Sequence, residues 1–475
     1  MSVRTIFLTG GTGAWGRAAL RAFRERGDEF RIIALVRPGK RSDQLSRDFA
    51  DWPLGLEILP GDLTDPAAVA RGISRADVVL HLGGLVSPVA DEQPALTTAT
   101  NVGGIKNIIA AVKALPDPSR VPVIAVGSVA EEGSRLPPHH WGRVGDPIFA
   151  AAFDGYAQSK INAERELVDS GLPKWTWLRQ TAILHPGLFR TMDPIMTHMP
   201  LDGVMEWVSE EDSARLAVAL SSEGVPEEVW GNIWHVGGGE PWRLTNWQFL
   251  NATARALGIE DPRKLFDRNW FALKNFHGSW FTDSDRLNEL VPYRKDTVEA
   301  AFARASTVLP ASLKGLSKAA APLAKQIFRG IAGQHRGTIG AIKRGEEPEI
   351  RAFFGSWETW AAIGDWSTYV PVEPSRRPTV IDHGFDESHP PMSWTPLDYA
   401  GAAGFRGGRL ASSGSDLERG AIGRPLRWVC AEGHWFRMSP RLVLQGGHWC
   451  PDCVQRPDEY ARQAEKNKFL AQVMP

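Results

Sequence analysis

Two groups of side chains in this chain have the types and spacing to do chemistry. In Tyr156-Ala157-Gln158-Ser159-Lys160 a phenol and an amine stand four residues apart, which places both on one face of a helix. An ammonium beside a phenol favours its ionised form, so a group with an ordinary pKa of about 10 becomes a usable proton donor and acceptor. The second group is Cys430-x3-His434 and Cys450-x2-Cys453, two close pairs separated by 15 residues. Four N/S donors in this pattern suit a tetrahedral Zn2+ with bonds of about 2.3 Å to sulfur. Four protein ligands close the shell, so the expected ion is structural rather than catalytic. His448 stands close enough in sequence to replace one ligand. All 3 cysteines of the chain belong to this cluster, a distribution that fits a metal better than a disulfide framework.

A third pattern lies near the start. Thr9-Gly10-Gly11-Thr12-Gly13-Ala14-Trp15-Gly16 follows the apolar run VRTIFL and opens the amphipathic stretch WGRAALRAFRERG. Glycines after a strand permit a tight turn and close approach of backbone N–H groups to a pyrophosphate at a positive helix end. Gly10, Thr12, Gly13, Ala14, Trp15 and Gly16 are therefore expected to bind a dinucleotide. Where an acid would bond the ribose 2′-hydroxyl of NAD, about 20 residues beyond the turn, the sequence has Arg37, with Lys40 and Arg41 behind it. A guanidinium can grip a 2′-phosphate that a carboxylate would repel, so NADP is expected over NAD; the other reading has Arg37 stacking over adenine.

These groups need a scaffold. Apolar runs at VRTIFLTG, FRIIALVR, LEILPGD, DVVLHLGG, VPVIAVGS and WTWLRQTAIL alternate with helical patterns such as NVGGIKNIIAAVKAL. That alternation predicts βαβ units and an α/β fold, a doubly wound parallel sheet of Rossmann type. We expect residues 1–300 to hold this domain with a smaller substrate-side region, residues 301–390 a helical basic segment and linker, and residues 391–475 a zinc-binding module. Residues 300–345 carry eight Lys or Arg and no acid. This segment reads either as solvated helices or an oligomer contact, or as a membrane- or nucleic-acid-facing helix.

Composition narrows the class. The chain has 475 residues, 43% hydrophobic and 23% charged, with a net charge of −1, so nothing global draws it to nucleic acid or acidic membranes. No apolar run reaches the roughly 18 residues of a membrane span, and the first residues lack the pattern of a secretory leader. A cytoplasmic enzyme is expected.

Taken in order, TGGTGAWG, GDLTD, HLGG, NVGGIKN, VGSVAEEG, YAQSK, LRQTAILHPG, SEEDSAR and NIWHVGGGE resemble the motif series of the extended short-chain dehydrogenases/reductases, the NAD-dependent epimerase/dehydratase family. The resemblance spans about residues 3–300. It implies that Tyr156 is the general acid/base, that Lys160 bonds the nicotinamide ribose and that Ser128 holds the substrate oxygen. It also implies that Asp62 and Leu63 flank the adenine, and that Leu82, Gly83 and Gly84 line the cofactor cleft. Asn101 would support the site, Thr181 would lie on the nicotinamide side, and Asp212 would fix local structure. The chain departs from the pattern at HLGG, where a pair of alanines is commoner, and at LRQTAILHPG, which lacks the aromatic-Asn pair of many sugar-nucleotide epimerases. No basic cluster for a second diphosphate is evident. His277, Trp280 and Asp283 in NFHGSWFTDSD are read as packing and capping residues, with substrate-side groups as the alternative reading.

Residues 395–456 resemble small treble-clef-like zinc modules, some of which accompany nucleic-acid proteins. Arg406, Arg409, Arg427, Arg437 and Arg441 would carry such binding, but five arginines make a weak stripe and a structural or docking module is favoured. The resulting expectation is an NADP-preferring oxidoreductase that moves hydride between nicotinamide and a carbonyl or secondary alcohol, with a structural zinc and a possible homodimer through the family's helices. A sugar-nucleotide epimerase or dehydratase with tightly held NAD is the second reading. A non-catalytic redox sensor with a partner-binding zinc tail is the third.

Overall fold

The structure is a computed structural model that describes residues 3–52, 55–191, 193–256, 258–308, 321–414, 417 and 420–474. The strands of its main body are β1 (Arg4–Thr9), β2 (Phe30–Val36), β3 (Leu56–Pro60), β4 (Val78–His81), β5 (Val123–Ser128), β6 (Trp141–Gly142), β7 (Trp175–Gln180), β8 (Ala182–Leu184), β9 (Val204–Ser209), β10 (Asn232–Val236), β11 (Arg243–Thr245) and β12 (Trp280–Phe281). Seven of them form one parallel sheet in the order β10-β7-β5-β4-β1-β2-β3. This is the expected Rossmann-type α/β architecture. β2, β4 and β5 are nearly continuous apolar runs because helices cover both faces of such a sheet. The chain winds outward in both directions from β1 and β4, which opens a crevice at their carboxyl ends.

One predicted strand divides in two. WTWLRQTAIL ends as β7 at Gln180, where the Thr181 N–H donates to the Val236 carbonyl at 3.0 Å. The chain then leaves the central sheet, and β8 pairs with β9 in a separate three-stranded sheet. The break puts Thr181 beside the crevice.

Residues 321–361 form helices Ala321–Ala332, Thr338–Arg344, Glu347–Phe354 and Trp357–Ala361. Ala321, Ala324, Phe328 and Ala332 bury one side of the first among Leu250, Phe266 and Phe271 of the main body. Much of the local positive charge is paired: Arg304 with Glu211 at 2.9 Å, Lys325 with Asp267 at 2.5 Å and Arg344 with Glu349 at 3.2 Å. Lys314 and Lys318 lie outside the described residues. No described helix is long and apolar enough to cross a membrane.

The tail carries helix Pro396–Phe405 and the antiparallel strands β13 (Arg409–Leu410), β14 (Leu426–Val429) and β15 (Trp435–Met438). Its Trp394, Tyr399, Leu442, Val443 and Leu444 share one apolar core with Ile105, Ile108, Val112, Leu167 and Trp175. Polar contacts line the same seam. Arg441 donates to the Gly231 carbonyl at 2.8 Å, Gln445 to Asn232 at 2.7 Å, and the Ser439 N–H to Asp169 at 3.1 Å.

Candidate active site and metal centre

The crevice is a cleft of about 630 Å3. Gly10 sits at φ +79°, where a Cβ would stand 2.7 Å from the Gly83 nitrogen, and a Cβ on Gly16 would stand 2.2 Å from the Gly10 carbonyl oxygen. Only glycine allows the turn to close against β4 in this way. Gly13 precedes helix Ala14–Arg24 without a side-chain cap, leaving the positive helix end to the cleft. The Trp15 indole anchors that helix by donating to the Ser213 carbonyl at 2.9 Å.

Gly10, Thr12, Gly13, Ala14, Trp15, Gly16, Arg37, Asp62, Leu63, Leu82, Gly83, Gly84, Ser128, Tyr156, Lys160 and Thr181 all line the cleft. Asn101 does not. Its amide bonds both backbone groups of Leu85, at 2.7 and 2.9 Å, and the Ser159 hydroxyl at 2.8 Å, so it holds the wall from behind. Arg41 joins Arg37 at the adenine end, where Arg37 lies 3.6 Å from Asp62. Gln180, which sequence reasoning missed, also lines the cleft; its Oε1 and the Thr181 Oγ1 are buried and find no partner among the described residues. Such atoms call for a polar ligand.

Helix Gly155–Val168 begins where Asp154 accepts the Ala157 N–H at 2.7 Å. It presents Tyr156 and Lys160 to the cleft. Lys160 Nζ donates to the Val126 carbonyl at 2.7 Å and lies 6.0 Å from the centre of the Tyr156 ring. Burial pushes Lys160 down to about 8, against the opposing pull of Glu131. Burial also carries the Tyr156 phenol above its ordinary range, with the Ser128 hydroxyl working against it and the charges of Glu131 and Asp154 adding to the rise. Desolvation is the largest cause of this rise. Tyr156 is therefore protonated at neutral pH. Ser128 ends β5 and accepts the Ala130 N–H at 3.2 Å, while its own N–H donates to Glu131 at 2.8 Å.

Behind this site lies a buried ionic cluster with no sequence signature. Arg179 donates to Glu164 at 2.7 and 3.0 Å and to Glu132 at 3.1 Å. His235 meets Glu132 at 2.5 Å and Asp283 at 2.7 Å. Burial alone would depress His235, but the two carboxylates outweigh it and raise it to about 10. Burial and the neighbouring Glu164 charge raise Glu131 well above the carboxylate range.

A second pocket of about 420 Å3 adjoins the cleft, and Tyr156 belongs to both. His277 lines this pocket. Trp280 and Asp283 serve packing and support: Trp280 stands edge-on to Trp141, and Asp283 holds His235 and the Val144 N–H. Asp212 accepts the Lys295 N–H at 2.8 Å, a local structural tie.

In the tail, the ligand atoms of Cys430, His434, Cys450 and Cys453 all lie within 4.8 Å of one another. The Cys430–Cys453 sulfur separation is 3.8 Å, and His434 Nδ1 lies 3.4, 3.5 and 3.4 Å from the three sulfurs. A tetrahedron with metal–sulfur bonds of about 2.3 Å has sulfur–sulfur edges of about 3.8 Å, so the donors fit zinc. His448 is otherwise engaged, 2.8 Å from Glu164. Of the five tail arginines, Arg406 is fully buried and donates to the carbonyls of His383, Ala402 and Val443, while Arg441 is turned toward Trp175.

Residues 6–173 match the model of the NAD dependent epimerase/dehydratase family. Among solved structures, the chain is similar to dTDP-glucose 4,6-dehydratase from Bacillus anthracis in complex with NAD, with 16% identity over 64% of this chain and 96% of that one, at a TM-score of 0.49. It is also similar to the NAD complex of UDP-glucose 4-epimerase from Thermus thermophilus, with 19% identity over 64% and 98% of the two chains, at a TM-score of 0.48.

Proposed function

We propose that this protein is an NAD(P)-dependent oxidoreductase of the short-chain dehydrogenase/reductase type, interconverting a carbonyl compound and a secondary alcohol. The observation that carries the reading is the Tyr156 phenol, common to the cofactor cleft and the second pocket, with Ser128 also lining the cleft. The glycine turn would hold the pyrophosphate, and Gln180 and Thr181 offer polar atoms to the carboxamide side. A bound nicotinamide supplies or accepts the hydride. Ser128 orients the substrate oxygen, and Tyr156, protonated at neutral pH, gives that oxygen its proton in the reductive direction. Lys160, held by Val126, keeps a positive charge near the developing oxyanion. Arg37 and Arg41 at the adenine end support NADP over NAD. The tail, with a structural zinc, acts as a docked module bracing the helix that bears Tyr156 and Lys160.

Calorimetric titration of the full chain with NADPH and NADH tests this reading. We expect NADPH to bind more tightly, and Arg37→Glu to reverse the order through loss of a charge-assisted contact, a change of roughly tenfold or more. Failure of both nucleotides to bind would end the proposal.

A further inference from the structure

We infer that the second pocket takes the carbonyl substrate as an uncharged, largely apolar ketone or its alcohol, and that Phe153 positions it. This rests on the oxidoreductase reading and gives it a substrate class. The pocket walls are mainly hydrocarbon and aromatic, with Ile183, Leu188, Phe276 and Phe353 among them. Phe353 comes from helix Glu347–Phe354, so the segment after the main body completes the chamber.

No Lys or Arg occurs among the described residues lining this pocket. Its acids are Asp91, which accepts the Tyr156 N–H at 3.1 Å, and Asp154, which lies 3.3 Å from the His277 ring. Burial holds His185 and His198 below the ordinary histidine range, leaving both neutral at pH 7. Moving a diphosphate into such a site would strip its hydration with no paired cation to replace it. A neutral carbonyl carries no such cost. Trp207 also lines the pocket, and its buried indole Nε1 has no acceptor among the described residues.

Backbone strain marks the same wall independently. Phe153 at φ +64° and Asn275 at φ +69° are the non-glycine residues with positive φ among the described residues, and both line this pocket. An aromatic residue in this region is unfavourable and persists only when its surroundings impose it. Here Asn275 clamps the preceding residue, accepting the Ala152 N–H at 2.7 Å and donating to the Ala152 carbonyl at 3.0 Å. Phe153 is 56% exposed and lines the pocket. A side chain held exposed and strained beside a catalytic phenol fits a role in substrate contact better than one in core packing.

The test is calorimetric titration of the full chain, with and without saturating NADP+, using 2-acetonaphthone and UDP-glucose as probes. We expect the ketone to bind, and Phe153→Ala to weaken it roughly tenfold, the effect of losing one aromatic wall. Phe153 is exposed enough for that variant to fold, and Phe353→Ala gives an independent loss from the opposite element. UDP-glucose should produce no binding that the ketone displaces. Absence of ketone binding, unchanged affinity in Phe153→Ala, or competition by UDP-glucose would each overturn the inference. Failure of NADP+ to bind would instead count against the oxidoreductase reading, and the ketone titration without NADP+ would still report on the pocket.

Discussion

Arg179, on β7, donates from Nη2 to the backbone carbonyl of Gly446 at 2.7 Å, across 267 positions of sequence. The same guanidinium grips Glu164 of the helix that bears Tyr156 and Lys160, and Glu164 meets His448 of the tail at 2.8 Å. The central sheet, the candidate catalytic helix and the tail that carries the Cys/His cluster therefore share one buried ionic cluster. Removing one member of a buried pair strands the other, which costs more than the intact pair contributes.

The first prediction concerns that joint. Elemental analysis of purified protein should find about one zinc per chain, the stoichiometry of a closed four-ligand site. Cys450→Ser should lose the metal and unfold at a lower temperature. Arg179→Met should cost about 3–5 kcal/mol in denaturant unfolding while retaining zinc. Metal-free wild-type protein with unchanged thermal stability would remove the structural zinc from the account.

Tyr156→Phe deletes the proton donor and keeps the ring. Turnover on a substrate established for the wild type should fall by about 10²- to 10⁴-fold, with NADPH affinity nearly unchanged. Full turnover in this variant would mean that another group carries the proton.

Lys160 gives a pH dependence with a definite sign. Its value is depressed to about 8 by burial, so it is an ammonium below that pH and a neutral amine above it. The kcat/KM for reduction, which reports groups of the free enzyme, should hold on the acid side and fall as pH rises through about 8. Lys160→Met should be slow and lack that step. A flat wild-type profile from about pH 7 to 9.5 would contradict this assignment.

His235 makes a prediction about stability rather than rate. Its folded value, raised to about 10 by Glu132 and Asp283 against the effect of burial, lies above the ordinary value of about 6.5. The stabilisation is fully present below about 6.5 and is lost as pH rises through about 10. The stability difference between wild type and His235→Gln should therefore shrink by the order of a few kcal/mol across that window. A constant difference would show that the imidazole is not charged in the folded protein.

Much of this protein could be read from short stretches of its sequence. The glycine turn at residues 9–16, the Tyr156–Lys160 pair and the four zinc donors depend on geometry that a single turn, helix or knuckle supplies. The parallel sheet follows from apolar runs that cannot remain exposed. Other features arose only when distant surfaces met. Glu131, Glu164, Arg179, His235 and His448 are unremarkable charged residues until β7, helix Gly155–Val168 and the tail bury them together, because many pairings of such residues are compatible with one sequence. His448 is drawn away from the zinc cluster by Glu164, a choice spacing left open. Phe153 gives no local sign of its left-handed backbone, since the restraint comes from Asn275, 122 positions further along. The Cys/His cluster could thus be recognised from residues 430–453 alone, but the tail's seat behind the candidate catalytic helix was decided by packing, where burial and charge pairing act between residues that sequence keeps far apart.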